Sequence, residues 1–239
     1  MMAPMTNKKR KILAIIPARG GSKSIPRKNV KLLAGKPLIA HTIHAAVKSK
    51  YLDKIIVSTD DQEIAQVSKK AGAGVLDRPK ELAQDHSLTQ GVVEHALAYL
   101  AKVEKYKPDV FLILQPTSPM RTTKDIDDAV ELFLKNTCDT LVSVSEAAHA
   151  VYWSFMVSGK YLKPMFGPKY LKKLRQDLPK AYITNGAICI STPASLLKYK
   201  SPYGKKIFPY VMPHERSIDI DNHVNFKLTE ILIQESQTQ

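Results

Sequence analysis

The stretch IIPARGGSKSIPRKN, residues 15–29, joins an apolar run to two adjacent glycines and several basic side chains. Gly20 and Gly21 would let backbone N–H groups approach a phosphate without obstruction. Positive charge around these amides would come from Arg19, Lys23, Arg27 and Lys28. The stretch is not a Walker A loop, because no glycine stands at the required spacing before Lys23, and it lacks the GxGxxG pattern of dinucleotide-binding proteins. It therefore predicts a triphosphate-binding loop, with a basic surface loop as the alternative.

Two carboxylates two residues apart occur in SIDID, residues 217–221. If the chain is extended there, Asp219 and Asp221 point to the same side with Cβ atoms about 7 Å apart, within reach of one cation. Carboxylate oxygens that leave room for phosphate oxygens and water are typical of a Mg²⁺ site. The alternative role for these two carboxylates is to cap a helix. A metal site is favoured because the sequence also predicts a triphosphate-binding loop.

A third cluster of polar residues occurs in LQPTSPMR, residues 114–121, which begins where the apolar run VFLIL ends. Gln115 offers both a hydrogen-bond donor and an acceptor, and Arg121 offers a fork for a carboxylate or phosphate. A polar strand-to-helix turn is equally compatible with these residue types.

The order of apolar runs predicts the elements that position these residues. Strands are predicted at 11–16, 54–59, 110–114, 140–144, 186–191 and 207–212. Helices are predicted at 37–50, 124–135, 194–199 and 222–234, with two more around 64–71 and 92–100. This alternation is typical of a mostly parallel sheet covered on both faces, which binds ligands at the carboxyl ends of its strands.

Residues 146–184 interrupt the alternation, because they are rich in aromatic residues, lysines and prolines. We interpret them as an arm or dimerisation element inserted in a single domain of residues 11–239, with a long surface loop as the alternative. Residues 1–10 are predicted to be a basic tail.

The net charge of +14 indicates an anionic partner. A nucleic-acid-binding protein is disfavoured, because aromatics make up only 7% of the chain and none interleaves the basic loop. No apolar run approaches the ~20 residues of a membrane span, and the N-terminus lacks the apolar stretch of a signal peptide, so a cytoplasmic protein is expected. Cys138 and Cys189 are expected to be buried thiols without a disulfide.

Taken together, six motifs resemble the acylneuraminate cytidylyltransferases, the CMP-sialic acid synthetases, a family that includes the CMP-legionaminic acid synthetases. The motifs are ARGGSKSIPRKN at 18–29, VSTDD at 57–61, RPKELAQD at 78–85, LQPTSPMR at 114–121, NGAICI at 185–190 and SIDID at 217–221. The resemblance extends from Ile12 to about Leu232. It implies a three-layer α/β/α Rossmann-like nucleotidyltransferase fold with an inserted dimerisation arm.

The resemblance also implies a reaction, namely transfer of CMP from CTP to the anomeric hydroxyl of a nine-carbon 2-keto sugar acid, with release of pyrophosphate and a requirement for Mg²⁺. Matched by motif, the nucleotide-binding residues would be Arg19, Gly20, Ser22, Lys28, Asn29, Arg78, Ser87 and Thr89. The sugar-binding residues would be Gln115, Arg121, Arg175 and Asn185. Asp219 and Asp221 would bind the metal and, with Arg19 and Lys28, would be catalytic.

In the family the inserted segment crosses a homodimer, so Arg175 is expected to act on the partner's substrate. This chain has Ile183-Thr184 where many members have an arginine before Asn185-Gly186. The acceptor is therefore open among N-acetylneuraminic, legionaminic and pseudaminic types. A cytidylyltransferase for an eight-carbon acid is the close alternative, but it tends to have proline at the position of Asn29.

Overall fold

The computed structural model describes residues 10–238, so nearly all of the predicted basic tail, residues 1–9, lies outside the described residues. Eleven strands are present in this range: β1 Ile12–Pro17, β2 Leu32–Leu33, β3 Lys36–Pro37, β4 Lys54–Thr59, β5 Gly74–Asp77, β6 Val110–Ile113, β7 Thr140–Glu146, β8 Phe155–Ser158, β9 Tyr161–Pro164, β10 Tyr182–Ser191 and β11 Ile207–Val211. The α-helices are α1 Leu38–Val47, α2 Gln62–Lys70, α3 Thr89–Lys102, α4 Thr123–Lys135, α5 Pro193–Tyr199 and α6 His223–Thr238.

Seven strands form the central sheet in the order β11-β7-β10-β6-β1-β4-β5. β10 runs antiparallel to both of its neighbours, and the other neighbouring pairs are parallel. The predicted mostly parallel sheet is therefore confirmed. The carboxyl ends of β1, β4 and β6 lie along one edge of this sheet, which places the segments that follow them side by side.

Alternation along β1 explains the layering of the fold. Ile12, Ala14 and Ile16 belong to a core cluster that includes residues of α1, α2 and α4. Leu13 and Ile15 belong to a second cluster, with residues of α3 and α5. Because successive side chains of a strand point to opposite faces, an almost continuously apolar strand requires helices on both sides. This confirms the predicted three-layer α/β/α fold.

Two features of the sheet differ from the sequence prediction. β5 was not predicted, because a four-residue edge strand carries too little apolar pattern to be recognised. β10 begins at Tyr182 rather than near Gly186, because its pairing with β7 continues across an irregularity between Thr184 and Cys189. Gly186 lies in this irregularity with φ of +69°, a left-handed conformation that favours glycine.

Most of the predicted insertion, residues 147–181, lies outside the central sheet, whereas Glu146 and residues 182–184 belong to β7 and β10 and pair within the sheet. β8 and β9 pair as a two-stranded hairpin, and every residue of β8 is exposed. Val157 is 79% exposed and Leu162 is 65% exposed. The dimerisation role of this segment stays a prediction.

Two further predictions concern the two cysteines and the membrane-spanning potential of the helices. Cys138 and Cys189 are free thiols that do not bond to each other, and each residue is partly buried and not fully buried as predicted. Within residues 10–238, no helix has the length and apolar character needed to cross a bilayer.

An ion pair between buried Asp125 and partly exposed Arg216 fixes the start of α4 to the chain that leads into SIDID. Asp125 forms a capping box with Thr122, so it is tied to the helix that begins there. Its carboxylate also accepts hydrogen bonds from Arg216 Nη2 at 2.8 Å and from Tyr210 Oη at 3.0 Å. Burial alone would raise the pKa of Asp125, but the hydrogen bonds from Arg216 and Thr122 outweigh burial and hold this pKa below its ordinary value.

We expect Asp125→Asn to lower the free energy of unfolding at pH 7 by about 1–3 kcal/mol, because partly buried donors lose a charged acceptor. The folded-state pKa of Asp125 is depressed, so its stabilising contribution is complete above the unfolded pKa of about 3.9 and disappears as pH falls through the lower folded value. Urea denaturation of the wild-type and variant proteins between pH 3 and 7 measures the difference. Asp128→Asn on the same helix is the control, since Asp128 only pairs with Lys124 at the surface. An equal effect of both variants, or a difference that does not shrink in acid, would contradict the prediction.

Candidate active site

A cleft of about 430 Å³ lies at the carboxyl ends of β1 and β6, and we refer to it as the basic cleft. It is lined by nine of the residues predicted from sequence, namely Arg19, Ser22, Lys28, Asn29, Arg78, Ser87, Thr89, Gln115 and Asp221. These residues come from separate parts of the chain that the parallel strands bring to one edge of the sheet. Two further predicted basic residues differ in position: Lys23 lines the cleft, whereas Arg27 does not and pairs with Asp61 and Glu63.

The loop after β1 is held by hydrogen bonds within it and to the far end of the chain. Buried Asn29 donates from Nδ2 to the Arg19 carbonyl oxygen at 3.0 Å. Lys28 Nζ donates to the Ile220 carbonyl oxygen at 2.7 Å and lies 3.9 Å from Asp221 Oδ1. Burial lowers the pKa of Lys28, while the carboxylates of Asp221 and Asp219 oppose this shift. The ammonium group is therefore fixed in position at the edge of the cleft.

The opposite wall comes from the segment between β5 and α3. Arg78 is buried and donates to the Ser58 carbonyl oxygen at 2.6 Å, and burial lowers its pKa to about 10. Ser87 Oγ donates to the Glu81 carbonyl oxygen at 3.0 Å and accepts from the Gln84 N–H at 3.1 Å. α3 then begins at Thr89 without a side-chain cap, so the positive end of its dipole lies at the cleft. Both walls thus favour a negatively charged ligand.

The two carboxylates of SIDID lie in a tight turn and not in an extended segment. The Ile220 N–H donates to the Thr117 carbonyl oxygen at 2.8 Å, and the Asp221 N–H donates to the Asp219 carbonyl oxygen at 3.1 Å. The premise of two carboxylates on one side of a strand is therefore not met. Asp221 lines the basic cleft and Asp219 lies half-buried beside Gly186, where a Cβ would stand 3.6 Å from Asp219 Oδ2.

Asp219 nevertheless has the properties of a cation ligand. Its Oδ1 is buried without a hydrogen-bond partner. Burial raises its pKa, a hydrogen bond from the Thr117 side chain to the carboxylate opposes this shift, and the charge of Asp221 adds to it, so the two carboxylates interact. Among residues 10–238, no cluster of three or more His, Cys, Asp or Glu side chains could hold a metal. A cation here would therefore take two carboxylates from the chain and its other oxygens from ligand and water, which fits Mg²⁺.

A second cavity, of about 480 Å³, adjoins the first, and we refer to it as the apolar pocket. It shares Thr89 and Gln115 with the basic cleft. Its apolar walls include Leu88, Ile113, Val142, Ile188, Cys189 and Pro202. Of the described side chains that line it, only Lys200 carries a formal charge. The two cavities therefore differ in chemistry and meet at Gln115.

Comparison with known proteins agrees with this geometry. The sequence model of the family described as "Cytidylyltransferase" matches residues 13–182. The chain is 40% identical to the CMP-N,N'-diacetyllegionaminic acid synthase of Legionella pneumophila, across 95% of this chain and 98% of that protein. It is 35% identical to the N-acylneuraminate cytidylyltransferase of Escherichia coli, covering 96% of this chain but only 54% of that longer protein. The chain belongs to the cytidylyltransferase family.

A solved structure gives the same fold for this cytidylyltransferase. The CMP:2-keto-3-deoxy-manno-octonic acid synthetase complexed with CTP superimposes with a TM-score of 0.69, over 95% of this chain and 99% of that chain. Its sequence identity is 17%, so the likeness concerns the fold.

Gly20 of this cytidylyltransferase does not line the basic cleft, contrary to expectation. Its N–H donates to Asp60 Oδ1 at 3.0 Å, so this amide is engaged within the protein. A Cβ at this position would lie 2.8 Å from Asp61 Oδ2. The structure therefore requires glycine here for close approach to the start of α2.

Arg121, predicted to contact the sugar, is instead 2% exposed and points into the protein. It donates to the Ala187 carbonyl oxygen at 2.6 Å and to the Gln115 carbonyl oxygen at 3.3 Å. Burial lowers its pKa to about 9. Arg121 therefore holds the backbone of Gln115 and does not line either cavity.

Asn185 and Arg175 also lie outside both cavities. Buried Asn185 accepts from Ser143 Oγ at 2.6 Å and donates to Ser217 Oγ at 2.9 Å, so it fastens the start of SIDID to β7. Arg175 lies in the segment 146–184, where it donates to the Ala148 carbonyl oxygen at 2.9 Å. Neither residue reaches the basic cleft of its own chain.

Sequence reasoning missed Asp85, which lines the basic cleft. Its carboxylate bridges Arg19 at 2.9 Å and Lys23 at 2.5 Å. The available signal was the acidic residue that ends RPKELAQD, a motif otherwise interpreted only through Arg78. Gln84 and Thr117 line the cleft as well; they lie within the motifs RPKELAQD and LQPTSPMR but were not predicted as site residues.

Proposed function

We propose that this cytidylyltransferase transfers CMP from CTP to the anomeric hydroxyl of a nine-carbon 2-keto sugar acid and releases pyrophosphate. The observation that carries the proposal is the basic cleft, where Arg19, Lys23 and Lys28 surround a space bordered by Asp221. A triphosphate supplies the negative charge that these cations require. The names of the two relatives, a legionaminic acid synthase and an acylneuraminate enzyme, support a nonulosonic acid as acceptor.

The residues of the cleft suit an in-line displacement at the α-phosphorus. The acceptor oxygen forms a bond to phosphorus, the bond to the bridging oxygen breaks, and pyrophosphate leaves with the electron pair. The hydroxyl proton passes to solvent. No covalent enzyme intermediate is needed, so catalysis consists of positioning and of stabilising the charge that develops on pyrophosphate. Lys28 is suited to this task because its Nζ is already fixed by the Ile220 carbonyl oxygen.

Asp219 and Asp221 would hold Mg²⁺ when CTP is bound. The metal would neutralise phosphate charge and orient the triphosphate. The unpartnered Oδ1 of Asp219 supports this assignment, since a buried carboxylate oxygen without a donor is costly unless a cation accompanies it. Because CTP is the donor, we also place the activity in the cytoplasm.

A comparison of acceptors distinguishes this proposal from the alternative, a cytidylyltransferase for an eight-carbon acid. Pyrophosphate release from CTP and Mg²⁺ would be measured with N-acetylneuraminic, N,N'-diacetyllegionaminic, pseudaminic and eight-carbon 2-keto acids side by side. We expect release with a nine-carbon acid. Release with the eight-carbon acid alone would support the alternative, and no release despite CTP binding would contradict the acceptor assignment.

Asp85 competes with the triphosphate for Arg19 and Lys23. We expect Asp85→Asn to lower the KM for CTP about two- to fivefold, because ion pairs exposed to solvent, such as those of Asp85 with Arg19 and Lys23, contribute little. Initial rates over a range of CTP concentrations test this. Glu63→Gln is the matched control, since Glu63 pairs with Arg27 of the same loop but outside the cleft. A higher KM in Asp85→Asn would show that the carboxylate assists nucleotide binding.

We also propose a homodimer in which the segment 146–184 contacts the partner and brings Arg175 toward the partner's acceptor. The exposed apolar residues of β8 and β9 support it, because a monomer seldom leaves such a contiguous patch in water.

We expect Val157→Lys to weaken the dimer at least tenfold, because a charge would be desolvated in the interface. Light scattering over a dilution series would then show a mass near 26.7 kDa where the wild type has twice that value. Leu197→Lys on α5 is the control, since Leu197 is 74% exposed outside the segment. Equal masses for both variants would contradict the interface.

A further inference from the structure

We propose that Arg27 is a positioning residue, whose ion pair with Asp61 at the start of α2 holds the neighbouring Lys28 at the edge of the basic cleft. This inference rests on the proposed function, because it concerns the group that we expect to stabilise the leaving pyrophosphate. It assigns to Arg27 a contribution to turnover and not to CTP binding.

The backbone at Arg27 adopts a conformation that few residues other than glycine accept. Its φ is +56° and its ψ is +28°, in the left-handed region. Its carbonyl oxygen accepts hydrogen bonds from the N–H groups of Val30 and Lys31, each at 3.1 Å, so this conformation forms the turn that contains Lys28. A glycine would adopt the same turn without strain. An arginine at this position therefore indicates that the side chain contributes something that glycine lacks.

The side chain of Arg27 does not line the basic cleft and meets the first turn of α2 instead. Nη1 donates to Asp61 Oδ2 and Nη2 donates to Asp61 Oδ1 at 3.0 Å, which makes the pair bidentate. Nη2 also donates to Glu63. Asp61 in turn caps α2, because its Oδ1 accepts from the Ile64 N–H at 2.9 Å. Arg27 is therefore tied to a carboxylate that belongs to a helix packed on the central sheet.

The pair orders two side chains that lie partly in solvent. The side chains of Arg27 and Asp61 are 45% and 18% exposed. The hydrogen bond from Arg27 is the largest cause that holds the pKa of Asp61 below its ordinary value, so the carboxylate is charged at neutral pH. A planar guanidinium bound through two nitrogens fixes the orientation of both partners, which a single contact would not do.

The ion pair and Lys28 lie on opposite sides of one short turn. Lys28 follows Arg27 directly, and its Nζ reaches the Ile220 carbonyl oxygen at 2.7 Å. At the other end of the loop, the Gly20 N–H donates to Asp60 Oδ1. The loop is thus held to the start of α2 at both ends, and Lys28 extends from a backbone that α2 keeps in place. An ordered backbone restricts the position of Nζ while charge develops on pyrophosphate.

The alternative role for Arg27 is neutralisation of charge. Asp60, Asp61 and Glu63 bring three carboxylates close to the loop, and Arg27 would then only reduce their repulsion of the triphosphate. The two roles predict different results when the pair is removed without a change of net charge. The double variant Arg27→Gly/Asp61→Asn does this, because one positive and one negative charge disappear together. Glycine accepts the left-handed turn, and asparagine still caps a helix.

The experiment measures pyrophosphate release and the calorimetric affinity for CTP in the full-length wild type, both single variants and the double variant. We expect each variant to lower kcat about tenfold, less than the roughly 100-fold that a displaced reacting group can cost, since Lys28 keeps its bond to Ile220. The double variant should be no slower than Arg27→Gly alone, because both changes remove the same pair. Its affinity for CTP should stay within about threefold of the wild type.

The matched control is Lys124→Gln/Asp128→Asn, because it removes a surface ion pair of α4, again with no change of net charge. We expect this control to keep the kcat of the wild type. A wild-type kcat in Arg27→Gly/Asp61→Asn would overturn the inference, and a loss of the same size in the control would do so as well.

Amide hydrogen exchange gives a readout that does not depend on turnover. The N–H groups of Lys28, Val30 and Lys31 are all bonded within the turn. Their exchange should accelerate about tenfold in the double variant, while exchange in β1 stays unchanged and shows that the fold is retained. Unaltered exchange in the turn would overturn the positioning role.

Failure of this inference is distinguishable from failure of the proposed function. If the wild type binds CTP but releases no pyrophosphate with any acceptor, the proposed reaction is wrong. If the wild type and the double variant turn over equally fast, the reaction stands and the positioning role of Arg27 is wrong.

Discussion

Replacing Lys28 by methionine is expected to lower kcat/KM for CTP about 100- to 1000-fold, the loss typical when a fixed electrostatic group is removed from a reaction centre. Methionine keeps most of the length of the side chain but cannot neutralise phosphate charge. Lys28 Nζ is 2.7 Å from the Ile220 carbonyl oxygen and its side chain is 12% exposed, so no reorganisation is needed when the triphosphate arrives. Steady-state pyrophosphate release, with urea denaturation as a check on folding, measures the effect.

The matched control is Lys36→Met, because Lys36 is exposed on β3 and lines neither cavity. Both variants lose one positive charge from a protein of net charge +14, so general attraction of CTP changes equally. A loss below about tenfold in Lys28→Met, or a comparable loss in Lys36→Met, would show that Lys28 acts only through the overall charge.

The second large effect is expected at Asp219. Asp219→Asn should lower kcat about 100-fold, because an amide of nearly the same size replaces a carboxylate that we propose as a Mg²⁺ ligand. Raising the Mg²⁺ concentration should recover part of the activity. Binding of Mn²⁺ in the presence of CTP, followed by electron paramagnetic resonance, gives a readout independent of turnover and should weaken at least tenfold.

Asp128→Asn serves as the control for Asp219→Asn, since its carboxylate pairs only with Lys124 at the surface. If Asp219→Asn binds Mn²⁺ as the wild type does but is inactive, Asp219 acts on the substrate directly and the metal assignment is wrong. If it is fully active, the carboxylate pair has no catalytic role.

The sequence by itself determined the α/β architecture and about half of the residues that line the basic cleft. A strand that is buried on both faces, such as β1, can be recognised from its own sequence, because each of its residues must be apolar. The rule that ligands lie at the carboxyl ends of parallel strands then placed Arg19, Lys28 and Gln115 together. The motif resemblance added Arg78, Ser87 and Thr89, which no local pattern distinguished.

Tertiary structure alone decided how polar groups are partnered. Lys28 meets the Ile220 carbonyl oxygen across 192 residues of sequence, and Arg121 meets the Ala187 carbonyl oxygen across 66. A local sequence pattern indicates the environment of a residue but not its distant partner. Arg121 was therefore predicted to bind a ligand, although it is buried and donates hydrogen bonds to backbone carbonyl oxygens. Three other features could not be predicted for the same reason. They are the hydrogen bond from the Gly20 amide to Asp60, the turn between Asp219 and Asp221, and the ion pair of Asp85 with Arg19. Residue types thus fixed which chemistry the chain can support, and long-range packing decided which side chains are free to perform it.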